Sequence, residues 1–245
     1  MQSIKDIQAW FNAPRRGKTE RANLGQMRTI IATYRFNETL VAESGIEAAF
    51  CKAAEFSPYV LNLVTQPFTC QIHHDGALRV YTPDALVQTP DGYCVVECKP
   101  FWKRIDHDLR EYLKSAQAMF ASYGLRFVVV DELDVGAAAL ADNIAWLWPL
   151  RAVREFDDQA ENLASRLRDA GEMTWADAQS LGFKPFEIGR ALAQRLIFTD
   201  LNASLQQTST LRATPFGDHR DVLNKLGNYQ AHDLRQIISL EEVYA

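Results

Sequence analysis

The sequence predicts an α/β (α+β) fold in which a mixed sheet is flanked by helices and followed by a small, mostly helical module. Three observations carry that expectation. Apolar residues recur at helical spacing over 46–56 and again over 105–122. Short runs rich in Val, Leu, Tyr and Phe, parted by turn signals, lie between and after these stretches. Past Pro149 the pattern becomes mostly helical.

Ser44-Gly45-Ile46-Glu47 opens the first helix, with Ile46, Ala49, Phe50 and Ala53 on one face, and Ser57-Pro58 stops it. Strands are expected over 59–65, 68–73, 78–88 and 93–99, with turns at Asp75-Gly76 and Thr89-Pro90-Asp91-Gly92. The second helix carries Leu109, Tyr112, Leu113, Ala116 and Phe120 on one side, Gly124 closes it, and 126–131 is a short apolar strand. Farther on, 157–168, 174–181 and 185–194 read as three short helices. A two-stranded ribbon of 196–199 with 204–211 then follows, which together suggests a winged-helix-like module. The expected divisions are a basic arm over 1–35, a catalytic domain over 36–150, the winged-helix-like domain over 151–215 and a loosely packed tail over 216–245.

At 245 residues, 47% hydrophobic and 23% charged, the chain is an ordinary globular one, which excludes disorder and repeat solenoids. No basic patch leads into an apolar segment at the N-terminus, and no run approaches the ~18 apolar residues of a membrane span. A cytoplasmic protein with no membrane partner is expected. Cys51, Cys70, Cys94 and Cys98 form no C-x-x-C pair and read as reduced thiols. The net charge is -5, yet residues 1–35 hold seven basic side chains (Lys5, Arg15, Arg16, Lys18, Arg21, Arg28, Arg35) against Asp6 and Glu20. A basic arm on an acidic body is compatible with phosphate contact, because counterion release follows local cations and not the whole-chain sum.

The chemistry concentrates at Pro83-Asp84 and Glu97-Cys98-Lys99. Residues two apart on a strand share a face, so Glu97 and Lys99 project together, about 6.7 Å apart at Cα, while Cys98 points to the core. A hairpin about Pro90-Asp91 sets Asp84 across from Glu97, with roughly 5 Å between Cβ atoms. A bulge at Gly92 would shift that register by one, and the kink that Pro83 imposes would shift it back. Two carboxylates this close require a positive charge between them. A hard divalent cation fits, with Asp84, Glu97 and the Cys98 carbonyl as protein ligands. Lys99 then either holds or deprotonates the attacking water or neutralises charge on a phosphate, and the chemistry is phosphodiester hydrolysis. The plainer reading makes Asp84 a turn residue and Glu97–Lys99 a surface ion pair; the unalternating apolar run Cys94-Val95-Val96 ahead of Glu97 weighs against it. Glu47 stands open between two readings, a capping box with Ser44 or a further metal ligand offered by a helix facing the strands.

At these residues the chain resembles the PD-(D/E)xK nuclease superfamily, and more narrowly the TnsA family of transposon-end endonucleases. The segments Ser44-Gly45-Ile46-Glu47-Ala48-Ala49-Phe50, Gln66-Pro67-Phe68, Thr82-Pro83-Asp84-Ala85-Leu86-Val87 and Val96-Glu97-Cys98-Lys99-Pro100 are similar to its successive motifs, over about ninety residues. The resemblance implies a restriction-endonuclease-like fold with Glu47 as the helix acid, Asp84 as the central metal ligand, Glu97 as the second strand ligand and Lys99 as the motif lysine. The family position matching Glu97 is also found as glutamine. Further implications are a Mg2+ cofactor for which Mn2+ can substitute, and a bacterial setting. The substrate implied is double-stranded DNA at transposon ends, cut on the 5′ strand. The implied partners are a DDE-type transposase subunit and an AAA+ ATPase regulator.

Other residues read more plainly. His73 and His74, adjacent on a strand, point to opposite faces and cannot chelate one ion. Trp102, Lys103 and Arg104 form a cationic loop after the lysine motif, placed to meet phosphates or only solvent. Lys184, Arg190 and Arg195 on the last short helix are offset by Glu187, so protein contact competes there with base reading. The alternatives kept beside the transposase subunit are a stand-alone nuclease of restriction or repair type and a non-catalytic DNA- or protein-binding scaffold.

Overall fold

The computed structural model of the chain describes residues 28–36 and 39–227, with the backbone alone at residues 104 and 105. Its centre is a four-stranded mixed sheet of β3 (Asn62–Thr65), β6 (Ala85–Thr89), β7 (Gly92–Cys98) and β8 (Arg126–Val130), in that order across the sheet. β6 pairs antiparallel with both β3 and β7, and β7 pairs with β8 in parallel. The α/β character and the mixed sheet flanked by helices are as expected, and the arrangement is consistent with a restriction-endonuclease-like fold.

Alternation along the strands sorts the two faces. Ala85, Val87, Cys94, Val96 and Cys98 pack with α1 (Gly45–Phe56), while Leu86 and Val95 pack with Leu113, Ala116 and Phe120 of α2 (His107–Ser122). Ser44 caps α1 by accepting the Glu47 amide at 3.2 Å, and Asp106 caps α2 through the amides of Asp108 and Leu109. The antiparallel hairpin of β4 (Cys70–His74) and β5 (Ala77–Tyr81) lies against α2, tied by the Tyr112 hydroxyl donating to the Val80 carbonyl at 3.3 Å.

The structure corrects the expected strand over 78–88. Pro83 supplies no amide to a ladder, and the chain bends at Thr82-Pro83-Asp84. β5 therefore pairs only with β4, and β6 enters the central sheet as a separate strand. The short antiparallel pair β1 (Thr29–Ile31) and β2 (Leu40–Ala42) was not anticipated. It builds 28–35, which the charge count grouped with the arm, into the fold. Ile31 is buried, Arg28 pairs with Glu43 at 3.3 Å, and the Arg35 guanidinium donates to the carbonyls of Ala54 and Glu55 at the end of α1. Residues 1–27 of that arm lie outside the described residues.

Beyond the short α3 (Glu132–Val135), α4 (Ala138–Leu150) fills a stretch to which the sequence pattern assigned nothing. Then come α5 (Asp157–Ala170), β9 (Glu172–Thr174), α6 (Trp175–Ser180), α7 (Pro185–Ala193) and β10 (Thr210–Arg212). The ribbon differs from expectation. Phe198 makes only an isolated bridge to Arg212, and the partner of β10 is β9, ahead of α6. One continuous apolar core runs from Ile31 through α1, α4, α5 and α7 to Leu226, straight across residue 150. Gly189 lets α7 approach α4 closely, since a Cβ there would collide with Trp146 and Leu150. Residues 216–227, expected as part of a loose tail, are docked. The Tyr59 hydroxyl donates to Asp221 at 3.0 Å, Arg126 donates to the Lys225 carbonyl at 2.9 Å, and Lys225 pairs with Asp134. Residues 228–245 lie outside the described residues.

A buried ionic joint holds these parts together. Glu55 at the end of α1 accepts Arg151 at 3.2 Å, with side-chain exposures of 1% and 5%, and also accepts the Tyr34 amide. Arg195 donates to the Ser57 carbonyl at 3.0 Å, and Arg190 donates to the Leu150 carbonyl at 2.7 Å while pairing with Asp157. Removing one partner of such a pair strands the other in a medium that solvates it poorly. Glu55→Ala is therefore expected to destabilise the protein by about 3–5 kcal/mol, while Glu43→Ala, which breaks only the part-exposed pair with Arg28, costs under about 1 kcal/mol. Urea denaturation of the two variants beside the wild type checks the contrast.

Candidate active site

Asp84, Glu97, Lys99 and the Cys98 carbonyl meet at one end of the β6–β7 hairpin. The ladder runs from Thr89 opposite Gly92 to Ala85 opposite Val96, so one step further Asp84 stands opposite Glu97, in the unshifted register. The alternation that sends Val95 to the α2 side carries Glu97 there too, beside Tyr81. Asp84 is fixed twice. Its carbonyl accepts the Gln66 amide at 2.8 Å, continuing the β3–β6 ladder, and its Oδ2 accepts the Cys98 amide at 2.7 Å.

Lys99 follows β7, its amide donating to the Val130 carbonyl at 2.9 Å. Its Nζ lies 2.5 Å from Glu97 Oε1, 3.4 Å from the Cys98 carbonyl oxygen and 3.7 Å from Asp84 Oδ2. Three oxygens from two adjacent strands thus surround a single cation. The other Glu97 oxygen, Oε2, accepts a hydrogen bond from the Tyr81 hydroxyl. Glu97 is only 4% exposed, so both of its carboxylate oxygens are engaged inside the protein.

The electrostatics follow from burial and crowding. Burial, reinforced by the Glu97 charge, pushes the Asp84 carboxyl up to about 6, against the opposing pull of Lys99 and the Cys98 amide. Burial disfavours the Lys99 ammonium, but Glu97 and Asp84 together hold it above its ordinary 10.5. With no divalent ion beside it, Lys99 is therefore held as an ammonium at neutral pH. Burial and the neighbouring Glu97 raise the Tyr81 hydroxyl well above its usual range, which keeps it a donor.

Glu47 sits at the opening of α1, on the opposite side of the sheet from α2. Its amide caps onto Ser44, and its Oε2 accepts the Glu43 amide at 2.8 Å in place of the Ser44 amide that a capping box uses. Burial raises its carboxyl, the Glu43 hydrogen bond opposes this, and the Asp84 charge adds to the rise. Glu47 is thus electrically coupled to Asp84 but is not one of the groups gathered at Lys99. Among the described residues no three His, Cys, Asp or Glu side chains are grouped closely enough to hold a metal ion, so a ready-made cage of Glu47, Asp84 and Glu97 is not present. What is gathered is two carboxylates and a carbonyl about one point, a set of hard oxygen donors that fits Mg2+ or Mn2+ chemistry. With all groups ionised, Glu47, Asp84 and Glu97 exceed Lys99 by two negative charges, which a divalent ion would balance.

The remaining candidates fall where their residue types suggest. His73 is exposed, and His74 shares a hydrogen bond with Ser115 at 3.1 Å and lies 3.3 Å from Asp75, so the two do not converge. Cys51, Cys94 and Cys98 are buried free thiols. Trp102 is 63% exposed with Lys103 over its ring, on a short 3-10 turn held by the Phe101 amide donating to Glu132 at 2.7 Å. Tyr81 was missed. In a continuous strand over 78–88 it would face away from Asp84, and only the bend at Pro83 reverses that parity.

Residues 57–132 match the family model described as TnsA-like endonuclease N terminal. The match spans about a third of the chain. It contains Asp84, Glu97 and Lys99 and stops short of Glu47. No curated protein matches the chain. The resemblance read from the motifs is borne out over those residues. No helix among the described residues is long and apolar enough to cross a membrane.

The raised Asp84 carboxyl makes a prediction for the protein stripped of divalent ions. A carboxyl that holds its proton more tightly folded than unfolded favours folding below about 4, and that contribution is lost as pH rises through about 6. Asp84→Asn keeps an oxygen for the Cys98 amide and removes the charge. In EDTA at pH 8 it is expected to be more stable than the wild type by on the order of 1–2 kcal/mol, and the difference should vanish near pH 4. Chemical denaturation across that range is the check, and a less stable variant at pH 8 contradicts the electrostatic account.

Proposed function

We propose that this chain is a Mg2+-dependent DNA endonuclease, with Mn2+ able to substitute, that serves as the endonuclease subunit of a heteromeric cut-and-paste transposase. The single observation that carries this reading is the convergence of Asp84, Glu97 and the Cys98 carbonyl on one cation position, inside the segment similar to TnsA-like endonucleases. In this reading those three groups hold the divalent ion, and Glu47 completes the set from the helix side. When bound, the ion acidifies a water and polarises the scissile phosphate.

The chain's own residues supply the rest. The Lys99 ammonium beside Asp84 and Glu97 supports a role in stabilising negative charge on the phosphate oxygens. The Cys98 amide, donating to Asp84, holds that carboxylate toward Glu97 and Lys99. The substrate is double-stranded DNA at transposon ends, cut on the 5′ strand. The partners are a DDE-type transposase subunit and an AAA+ ATPase regulator, and the setting is the bacterial cytoplasm.

We read residues 151–215 as the winged-helix-like domain. The order α5, β9, α6, α7, the Phe198 bridge and β10, with β10 lying between β9 and Phe198, supports this. Two of its three candidate base-reading cations, Arg190 and Arg195, are spent on internal carbonyls, which favours protein contact over base reading.

Asp84→Ala is expected to abolish 5′-strand cleavage at transposon ends while the variant still co-purifies with the transposase and ATPase subunits. An end-cleavage assay resolved by strand, run with and without those subunits, checks it. Unchanged cleavage by the variant would remove the proposed site. Efficient cleavage by the wild type alone, of DNA lacking transposon ends, would favour a stand-alone nuclease.

A further inference from the structure

We propose that Tyr81 is the positioning residue for Glu97, fixing which carboxylate oxygen is offered toward Asp84 and Lys99; the inference rests on the nuclease reading above. Glu97 has three rotatable side-chain bonds, and its Oε1 is held by Lys99, itself a long and flexible side chain. Its Oε2 is held by the Tyr81 hydroxyl. Tyr81 is a fixed point. It is 4% exposed, and its ring is boxed by Tyr112, Phe120 and Phe127 at centroid separations of 6.0, 5.9 and 6.5 Å. Its backbone is anchored at the end of β5, opposite Cys70, before the bend at Pro83.

A donor that cannot move therefore takes one oxygen of Glu97 and leaves the other turned to the cation position. Outer groups that hold a ligating carboxylate in this way set ligand affinity without touching the ion, and their loss costs about tenfold or more. Tyr112 supplies a matched control, because its ring also borders Tyr81 but its hydroxyl donates to the Val80 carbonyl at 3.3 Å.

Tyr81→Phe keeps the ring and removes the hydroxyl. A crystal structure of the variant in EDTA is expected to show the Glu97 carboxylate displaced or spread over rotamers, whereas Tyr112→Phe leaves it in place. In solution, Mn2+ binding to the full chain without DNA, followed by electron paramagnetic resonance, is expected to weaken about tenfold in Tyr81→Phe and to stay unchanged in Tyr112→Phe. Cleavage should fall with the DNA KM unaltered and recover at higher Mn2+. Glu97 in its wild-type position, or undiminished Mn2+ affinity in Tyr81→Phe, would overturn the proposal. If the wild type itself shows no Mn2+ binding that depends on Asp84, the nuclease reading falls, and the crystallographic comparison alone then decides the role of Tyr81.

Discussion

Two carboxylates facing each other across adjacent strands repel, and everything at the end of the β6–β7 hairpin is arranged around that repulsion. The Cys98 amide and Lys99 offset part of it, and the Tyr81 hydroxyl engages the far side of Glu97. Burial first, and the Glu97 charge after it, still displace the Asp84 carboxyl upward. Crowded, mostly buried carboxylates beside an ammonium are the physical basis on which a task with cations and phosphate is proposed for the site.

The rest of the molecule fixes the position of that hairpin. The sheet places β7 between β6 and β8, so the Glu97 backbone is clamped on both sides while its side chain emerges beneath α2. On the other face α1 is pinned at its C-terminal end by Arg35 and Arg195 and by the pair of Glu55 with Arg151. These contacts reach the end of α7, and the docked segment 216–227 adds others to the back of β8. Side chains held on strands and backed by a shared core are located more narrowly than those on loops.

Much of this was legible in the sequence, for reasons that differ by element. The hairpin register followed from a two-residue loop between Thr89 and Gly92, because turn length and strand periodicity together leave one facing partner for Asp84. The capped start of α1 and the amphipathic α2 followed from Ser44 and from the Leu109–Phe120 face. What escaped depended on partners distant in sequence. β1 and β2 are three-residue strands whose pairing gives no alternation long enough to see, and Arg28 and Arg35 look like arm residues until Glu43 is brought to the first and the carbonyls of Ala54 and Glu55 to the second. α4 buries one face through Leu140, Ile144, Leu147 and Leu150, but its exposed face carries Ala138, Ala141, Ala145 and Pro149, so the polar contrast that marks an amphipathic helix is weak. Tyr81 escaped because one proline changed which face it occupies. Glu47 could not be decided from its spacing, and the structure shows why: its carboxylate caps the Glu43 amide and is also within the field of Asp84.

The central claim is that Asp84, Glu97 and the Cys98 carbonyl form a divalent-cation site that Lys99 borders. The most direct measurement is an anomalous difference map from a crystal of the full chain soaked in Mn2+. The account predicts a peak within bonding distance of oxygens from all three groups, with Lys99 Nζ withdrawn from Asp84. Saturating Mn2+ with no peak there, and Lys99 still lodged between the two carboxylates, would contradict it.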